Sequence, residues 1–236
     1  MPPPLHLLLA DARLPAGQLS TSGGVEAACA TGLVRDVGSL RAFLFGRLWT
    51  SGAIAACAAA AVCARARSVR AADSLWRSAE AELDARIPSP AAREISRRSG
   101  GRMLRLAMEK TPSAVFDSLA RVTRASQQQP HYPTVVGAVA AVAGLGPRDA
   151  AEAAAYAYVA GPAFAAQKLL QLEPAAIVEL GVEMAPAVDR LASEAASTCL
   201  RSLSQLPSFS APVLEYLAEE HAFRSEGSSR SEGSPV

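Results

Sequence analysis

The chain has 236 residues, half of them apolar, 5% aromatic, with a formal net charge of +1. Near-neutrality without a long single-sign run excludes the basic footprint that a nucleic-acid binder needs. Alanine, the best helix former, supplies much of the apolar content, so the composition leans all-α.

At the N-terminus, MPPPLHLLLADAR lacks a basic n-region and has only a short apolar run, so no signal peptide is read. LPAGQLSTSGGVE follows. Leu14 to Gly17 fits a type I turn, and Ser22 or a neighbouring hydroxyl can cap a short helix through Thr31. Gly32 then suits the C′ position, with Leu33 folding back on Ala28 as in a Schellman ending. Gly23 and Gly24 exceed what a cap requires, since each costs ~1 kcal/mol against alanine inside a helix. Two readings stay open for them: close internal packing, or bare backbone that another chain approaches. Glu26 in the first turn is favoured by the helix dipole alone.

Asp36 or Ser39 opens the next helix, where Leu40, Phe43, Leu44 and Leu48 recur at helical spacing. The pattern runs on through IAACAAAAVCARA, which is apolar nearly all round and therefore suits a central helix. Residues 71–86 are amphipathic, with Leu75, Trp76, Ala79 and Leu83 on one side. Ser89-Pro90 reads as an N-cap with proline at the first helical position. That helix meets Gly100-Gly101, where a break or kink is expected. A short helix over 114–124 and a polar loop, QQQPHYP, come next. Helices then start at Thr134, Pro147 and Pro174.

The longest uncharged stretch, AAAYAYVAGPAFAAQ, is shorter than the ~18 to 20 residues of a membrane span and is interrupted by Gly161-Pro162. A last amphipathic segment ends near Phe223. The closing RSEGSSRSEGSPV has too few apolar groups to offset its ordering entropy and is expected to be disordered. The expected architecture is a single compact all-α domain over residues 1–223, of roughly nine or ten helices by their periodicity, with a disordered tail over 224–236.

The catalytic inventory is thin. There is no GxxxxGK[ST] phosphate cradle, no GxSxG elbow, no HExxH and no paired cysteines for zinc. Cys29, Cys57, Cys63 and Cys199 lie in apolar helical patterns and read as small hydrophobes in a reducing, cytoplasmic compartment. His6, His131 and His221 are the only histidines. His131, between prolines, is either a ligand or a hydrogen-bonding spacer. Lys168, amid apolar residues, reads as a snorkelling lysine. No catalytic residue, metal site or cofactor is assigned.

Taken together, LLLADARLPAGQLSTSGGVEAACATGLV resembles the opening of the urease accessory protein F (UreF) family. Leu8, Asp11, Leu14, Pro15, Gly17, Ser20, Ser22, Gly24, Glu26 and Gly32 stand where that family's pattern puts them. PHYPTVVGAVAAVAGL is similar to its later PHFP segment, AAQKLLQL to its AAxKLxxL, and LAEEHAF to its C-terminal LxxRHE region. Those matches set His131, Lys168 and His221 on family positions, whereas Glu220 replaces the family's arginine and RSEGS repeats replace its usual tail. The resemblance implies an all-α, dimeric and non-catalytic protein that helps install nickel in urease. It implies bridging of a UreD/UreH-type accessory protein and a UreG-type GTPase on the way to apo-urease. Partner contacts are then expected at Ser20, Ser22, Gly24, Glu26, His131, Lys168 and His221, with no nucleic acid and no membrane involved. A direct nickel-binding metallochaperone and a small all-α enzyme of unrecognised type are the alternatives. The first needs a ligand cluster and the second a site constellation that the sequence does not display.

Overall fold

The computed structural model describes residues 23–66, 72–198 and 203–207, together with Leu9, and every regular element among them is helical. Ser20, Ser22, His221 and the tail over 224–236 lie outside the described residues.

Helix α1 (Val25–Ala30) starts from Gly24, which takes the N-cap position in a left-handed conformation, φ 88°. A glycine, not a hydroxyl residue, therefore stands at the cap. Gly32 at the other end is left-handed, φ 74°, as its C′ position demands, and its N–H reaches the Cys29 carbonyl at 3.0 Å. The apolar residue that folds back is Val34, buried, its N–H 3.0 Å from the Ala28 carbonyl. Leu33 is 52% exposed. The expected Leu33 contact is thus corrected by one residue, because the turn is one residue longer than a Schellman ending.

Helix α2 (Val37–Arg47) opens with a reciprocal cap. The Asp36 carboxylate accepts the Ser39 N–H at 2.7 Å while the Ser39 hydroxyl oxygen accepts the Asp36 N–H at 3.1 Å. A widened π turn, Leu48–Gly52, joins it to α3 (Ala53–Ala66) without a break. The run Val37–Ala66 is long and apolar enough to cross a membrane by length and composition, but most of it is buried inside the fold, as in a core helix.

Helix α3 divides the hydrophobic core in two. Ala58, Ala59 and Val62 pack with α4 (Ala72–Arg86), α5 (Pro90–Lys110), α6 (Ala114–Ser126) and α7 (Tyr132–Val142). Ala53, Ala56 and Ala60, on its other face, pack with α1, α2, α8 (Pro147–Leu170) and α9 (Pro174–Thr198). The Leu75, Trp76, Ala79 and Leu83 side of α4 is buried as its pattern requires. At the α3–α7 crossing a Cβ on Gly137 would lie 2.6 Å from the Ala59 carbonyl oxygen and 2.7 Å from the Val62 Cβ. Only glycine on one helix and small residues on the other allow backbones so close.

Two expectations of an interruption from the sequence are overturned at buried positions. Helix α5 runs unbroken through Gly100-Gly101. A Cβ at Gly100 would fall 2.1 Å from the Pro130 carbonyl oxygen, and one at Gly101 2.2 Å from Gln129 Oε1. These glycines admit the 127–131 loop; they do not kink the helix. Likewise α8 continues through Gly161-Pro162, both buried, so packing holds the helix across a residue that removes one backbone hydrogen bond. The turn Leu203–Gln205 closes the described chain, tied to the end of α4 by Arg86, which donates to the Leu206 and Ser204 carbonyls at 3.1 and 2.9 Å.

Adding one methyl group should therefore have opposite effects at two helical glycines. In α9 nothing lies within 4 Å of the point where a Cβ on Gly181 would stand, so Gly181→Ala is expected to stabilise by roughly 0.5–1 kcal/mol. Gly100→Ala should destabilise by at least ~1 to 3 kcal/mol through overpacking. Urea unfolding of both variants checks the pair, and a neutral Gly100→Ala would refute the close approach.

Candidate functional site

A buried polar cluster joins α4, α5 and the start of α7. It begins with Glu80 and Asp84, four residues apart and therefore on one side of α4 beside the apolar stripe. Arg97 reaches across from α5, placing one nitrogen 2.8 Å from Glu80 Oε2 and the other 2.7 Å from Asp84 Oδ2. Glu80 also accepts the His131 N–H, at 3.1 and 3.0 Å to its two oxygens, and the Thr134 hydroxyl at 2.7 Å. His131 is wholly buried. Its Nε2 lies 3.0 Å from Asp84 Oδ1 and its Nδ1 3.0 Å from Ser96 Oγ.

These partners assign the tautomer. An ionised Asp84 only accepts, so Nε2 carries the proton. Nδ1 then accepts from the Ser96 hydroxyl, whose oxygen in turn accepts the Tyr132 N–H at 3.2 Å. Burial, with the Arg97 charge adding to it, pushes His131 down to about 4, so the ring is neutral at pH 7. Burial also raises the Glu80 carboxyl, against the pull of Thr134, Arg97 and the His131 N–H. For Asp84 burial acts upward too, but the His131 hydrogen bond and the Arg97 charge outweigh it, and the carboxyl sits below its ordinary range.

The cluster fixes backbone. Arg97 donates to the Gln129 carbonyl, Glu80 holds the His131 N–H and Ser96 holds that of Tyr132. With Gly100 and Gly101 beneath it, the 127–131 loop is clamped on α5 from several directions. His131 is corrected as a direct partner contact: its ring faces protein on every side and acts through the loop that it anchors. Glu80, Asp84, Ser96 and Arg97 were not singled out from the sequence. Their signal was present as an acidic i, i+4 pair flanking Ala79 and Leu83, a place where a soluble helix ordinarily turns to water.

The surface residues lie elsewhere. Gly24 is partly exposed and Glu26 exposed at the start of α1. Gly23 is left-handed, φ 57°, and a Cβ there would come within 2.8–2.9 Å of the Arg47 guanidinium, which itself lies over the Tyr158 ring at 5.4 Å. For Gly23, then, the left-handed backbone favours glycine, and the Arg47 guanidinium lies against it. Lys168 is exposed in the last turn of α8, without an ion pair among the described residues, next to Phe164 and Leu169, which are exposed as well. It stands ten residues, ~15 Å of helix, beyond Tyr158, so α8 carries both places without bringing their side chains together. Cys63 is buried, its thiol donating to the Leu145 carbonyl at 3.4 Å, and Cys29 and Cys57 are partly buried; burial pushes the Cys57 thiol up to about 11. Among the described residues no three of His, Cys, Asp and Glu gather so as to hold a metal ion.

Comparison with known proteins gives a concordant set of likenesses. A family model described as UreF matches residues 34–185. The chain is 41% identical to urease accessory protein UreF of Mycobacterium sp. strain JLS over 218 residues, 92% of this chain and 93% of that one. It is 40% identical to urease accessory protein UreF of Mycobacterium marinum over 218 residues, again 92% and 93% of the two chains. For the protein of that name from Mycobacterium tuberculosis the figures are 37% over 215 residues, 91% and 92%.

The His131 environment makes stability depend on pH with a definite sign. The folded value of about 4 is below the ordinary 6.5, so the unfolded chain gains a proton in that interval that the folded chain refuses. Stability is therefore full above pH ~6.5 and falls on acidification toward pH ~4, by on the order of 3 kcal/mol at the limit. Urea midpoints measured across this window should decline for the natural chain. They should decline less for His131→Asn, in which the shifted carboxylates still titrate and which is less stable throughout. An equal decline in both would clear His131 as the cause.

Proposed function

The chain belongs to the UreF family of urease accessory proteins, and on that premise we propose that it serves as a nickel-insertion chaperone working through protein contacts in the cytoplasm. In this reading it is a homodimer that bridges a UreD/UreH-type accessory protein and a UreG-type GTPase and so helps deliver nickel to apo-urease. It is an accessory factor, not an enzyme. Partner contacts are proposed at Ser20, Ser22, Gly24, Glu26, Lys168 and His221.

The observation that carries the proposal beyond family membership is Lys168. An exposed cation without an ion pair among the described residues, flanked by exposed Phe164 and Leu169, has the mixed apolar and charged character of a recognition surface. A lysine that merely snorkels would lay its stem on apolar groups that are otherwise covered. The direct metallochaperone reading gains no support from the described residues, since its ligand cluster is not found among them.

Lys168→Glu is expected to leave stability within ~0.5 kcal/mol of the natural chain, as for other exposed substitutions, while recovery of the accessory complex in a pull-down with the GTPase falls sharply. Thermal melting and the pull-down, run on one preparation, decide it. Unchanged recovery would return Lys168 to the role of a surface lysine.

A further inference from the structure

A buried ion-pair cluster is an expensive way to hold a loop whose tip is polar. Gln127, Gln128 and Gln129 are all exposed, yet the chain beneath them is fixed by Glu80, Arg97 and His131 and seated on Gly100, where a Cβ would strike the Pro130 carbonyl, with the Gln129 side chain lying against Gly101. Gln127 is left-handed, φ 55°, and its N–H closes on the Arg124 and Thr123 carbonyls; the Gln128 N–H bonds Thr123 at 3.2 Å. Rigid presentation of exposed amides is what a recognition element requires, because ordering entropy is then spent in folding and not in binding.

The surroundings of the tip are basic. Helix α5 carries six basic side chains against two acidic ones, whereas α9 carries four acidic against one basic. Arg97, Gly101 and Arg105 follow one another at four-residue spacing and so share the side of α5 on which the Gln129 side chain packs against Gly101. Arg105 is exposed and has no carboxylate partner among the described residues, and the same holds for Arg124 at the end of α6. Arg98, 65% exposed, pairs among the described residues only with Glu94 one turn away, a contact of little strength in water.

We propose that the Gln127–Gln129 tip with Arg98, Arg105 and Arg124 is a preorganised docking surface for an acidic protein segment. The arginines would meet carboxylates as bidentate partners, and the glutamines would pair with the partner's backbone. A nucleic acid fits less well: among the described residues no exposed aromatic accompanies the arginines for base stacking. The site is separate from Lys168 and rests on the reading of the chain as an accessory protein that acts through contacts.

The test is the double reversal Arg105→Glu/Arg124→Glu in the full chain. It is measured against the purified GTPase, the UreD/UreH-type protein and apo-urease, each at ionic strengths of about 0.05 and 0.3 M. A Glu-rich peptide and a DNA duplex serve as direct probes. The proposal expects an unchanged melting temperature and roughly tenfold or greater weakening toward one protein component, with loss of its salt dependence. It also expects the peptide to bind the natural chain and not the reversed one. Glu80→Gln, which loosens the loop but leaves the surface charges intact, should weaken the same interaction. The proposal is overturned if the reversal leaves every component bound as before, or if the duplex competes as well as the protein does. If Lys168→Glu disrupts the complex and the double reversal does not, the docking surface falls and the functional reading stands. If the natural chain binds no component, the functional reading fails, and the peptide decides the patch: binding abolished by the reversal keeps it, no binding overturns it.

Discussion

Helix α3 buries eleven of its fourteen residues, and most of the architecture follows from that. A helix so largely buried must meet neighbours on most sides, and close packing limits the size of each side chain at the contacts. Alanine meets the limit along Ala53–Ala66, and Gly137 meets it from α7, where a Cβ would strike the Ala59 carbonyl. The two cores are thus two sides of one helix. The widened turn at Leu48–Gly52 belongs to the same arrangement: it carries the chain from the partly exposed α2 into this interior, and Gly52 there faces the Tyr158 Cβ at 3.6 Å from where its own Cβ would be.

The ionic cluster obeys a different logic from the alanine core. Placing Glu80 and Arg97 largely away from water, beside a partly exposed Asp84, incurs desolvation that their attraction offsets only if nearly every lone pair and proton is used. Here nearly all are: three donors converge on Glu80, Arg97 forks onto two carboxylates and a carbonyl, and both His131 nitrogens are bonded. Such a cluster contributes less to stability than its hydrogen bonds imply, but it admits one arrangement of the loop and disfavours others. The smaller chain from the Trp76 Nε1–H through Ser118 to Asp73, at 3.0 and 3.1 Å, fixes α6 against α4 in a similar manner.

What the sequence made legible was local. Asp36 and Ser89 cap their helices through atoms three residues away, and apolar stripes declare which side of α2 and α4 is buried. The family motifs were legible as well, and the comparisons place the chain where they pointed. Misreadings arose where a distant contact reverses a local preference. Gly100-Gly101 looks like a helix breaker until Pro130 and Gln129 are brought against it, and Gly161-Pro162 looks like an interruption until packing on both sides holds the helix. His131 in a polar, proline-bracketed segment reads as surface, and only the carboxylates of α4, some fifty residues earlier, draw it inside. Leu33 and Val34 differ by one turn residue, which no pattern of hydrophobicity distinguishes.

Because the interior is built so largely from alanine, its sensitivity to mutation runs in one direction. In α3 and along the buried side of α8 there is little left to truncate, so a scan that replaces each residue by alanine leaves those positions untouched and would score the most crowded part of the molecule as silent. Substitution is constrained in the same sense: a step from alanine to valine or serine at Ala59 adds bulk or polarity where Gly137 has already given up its side chain. A larger residue there calls for compensation across the two helices, whereas the exposed side of α9 accepts change residue by residue.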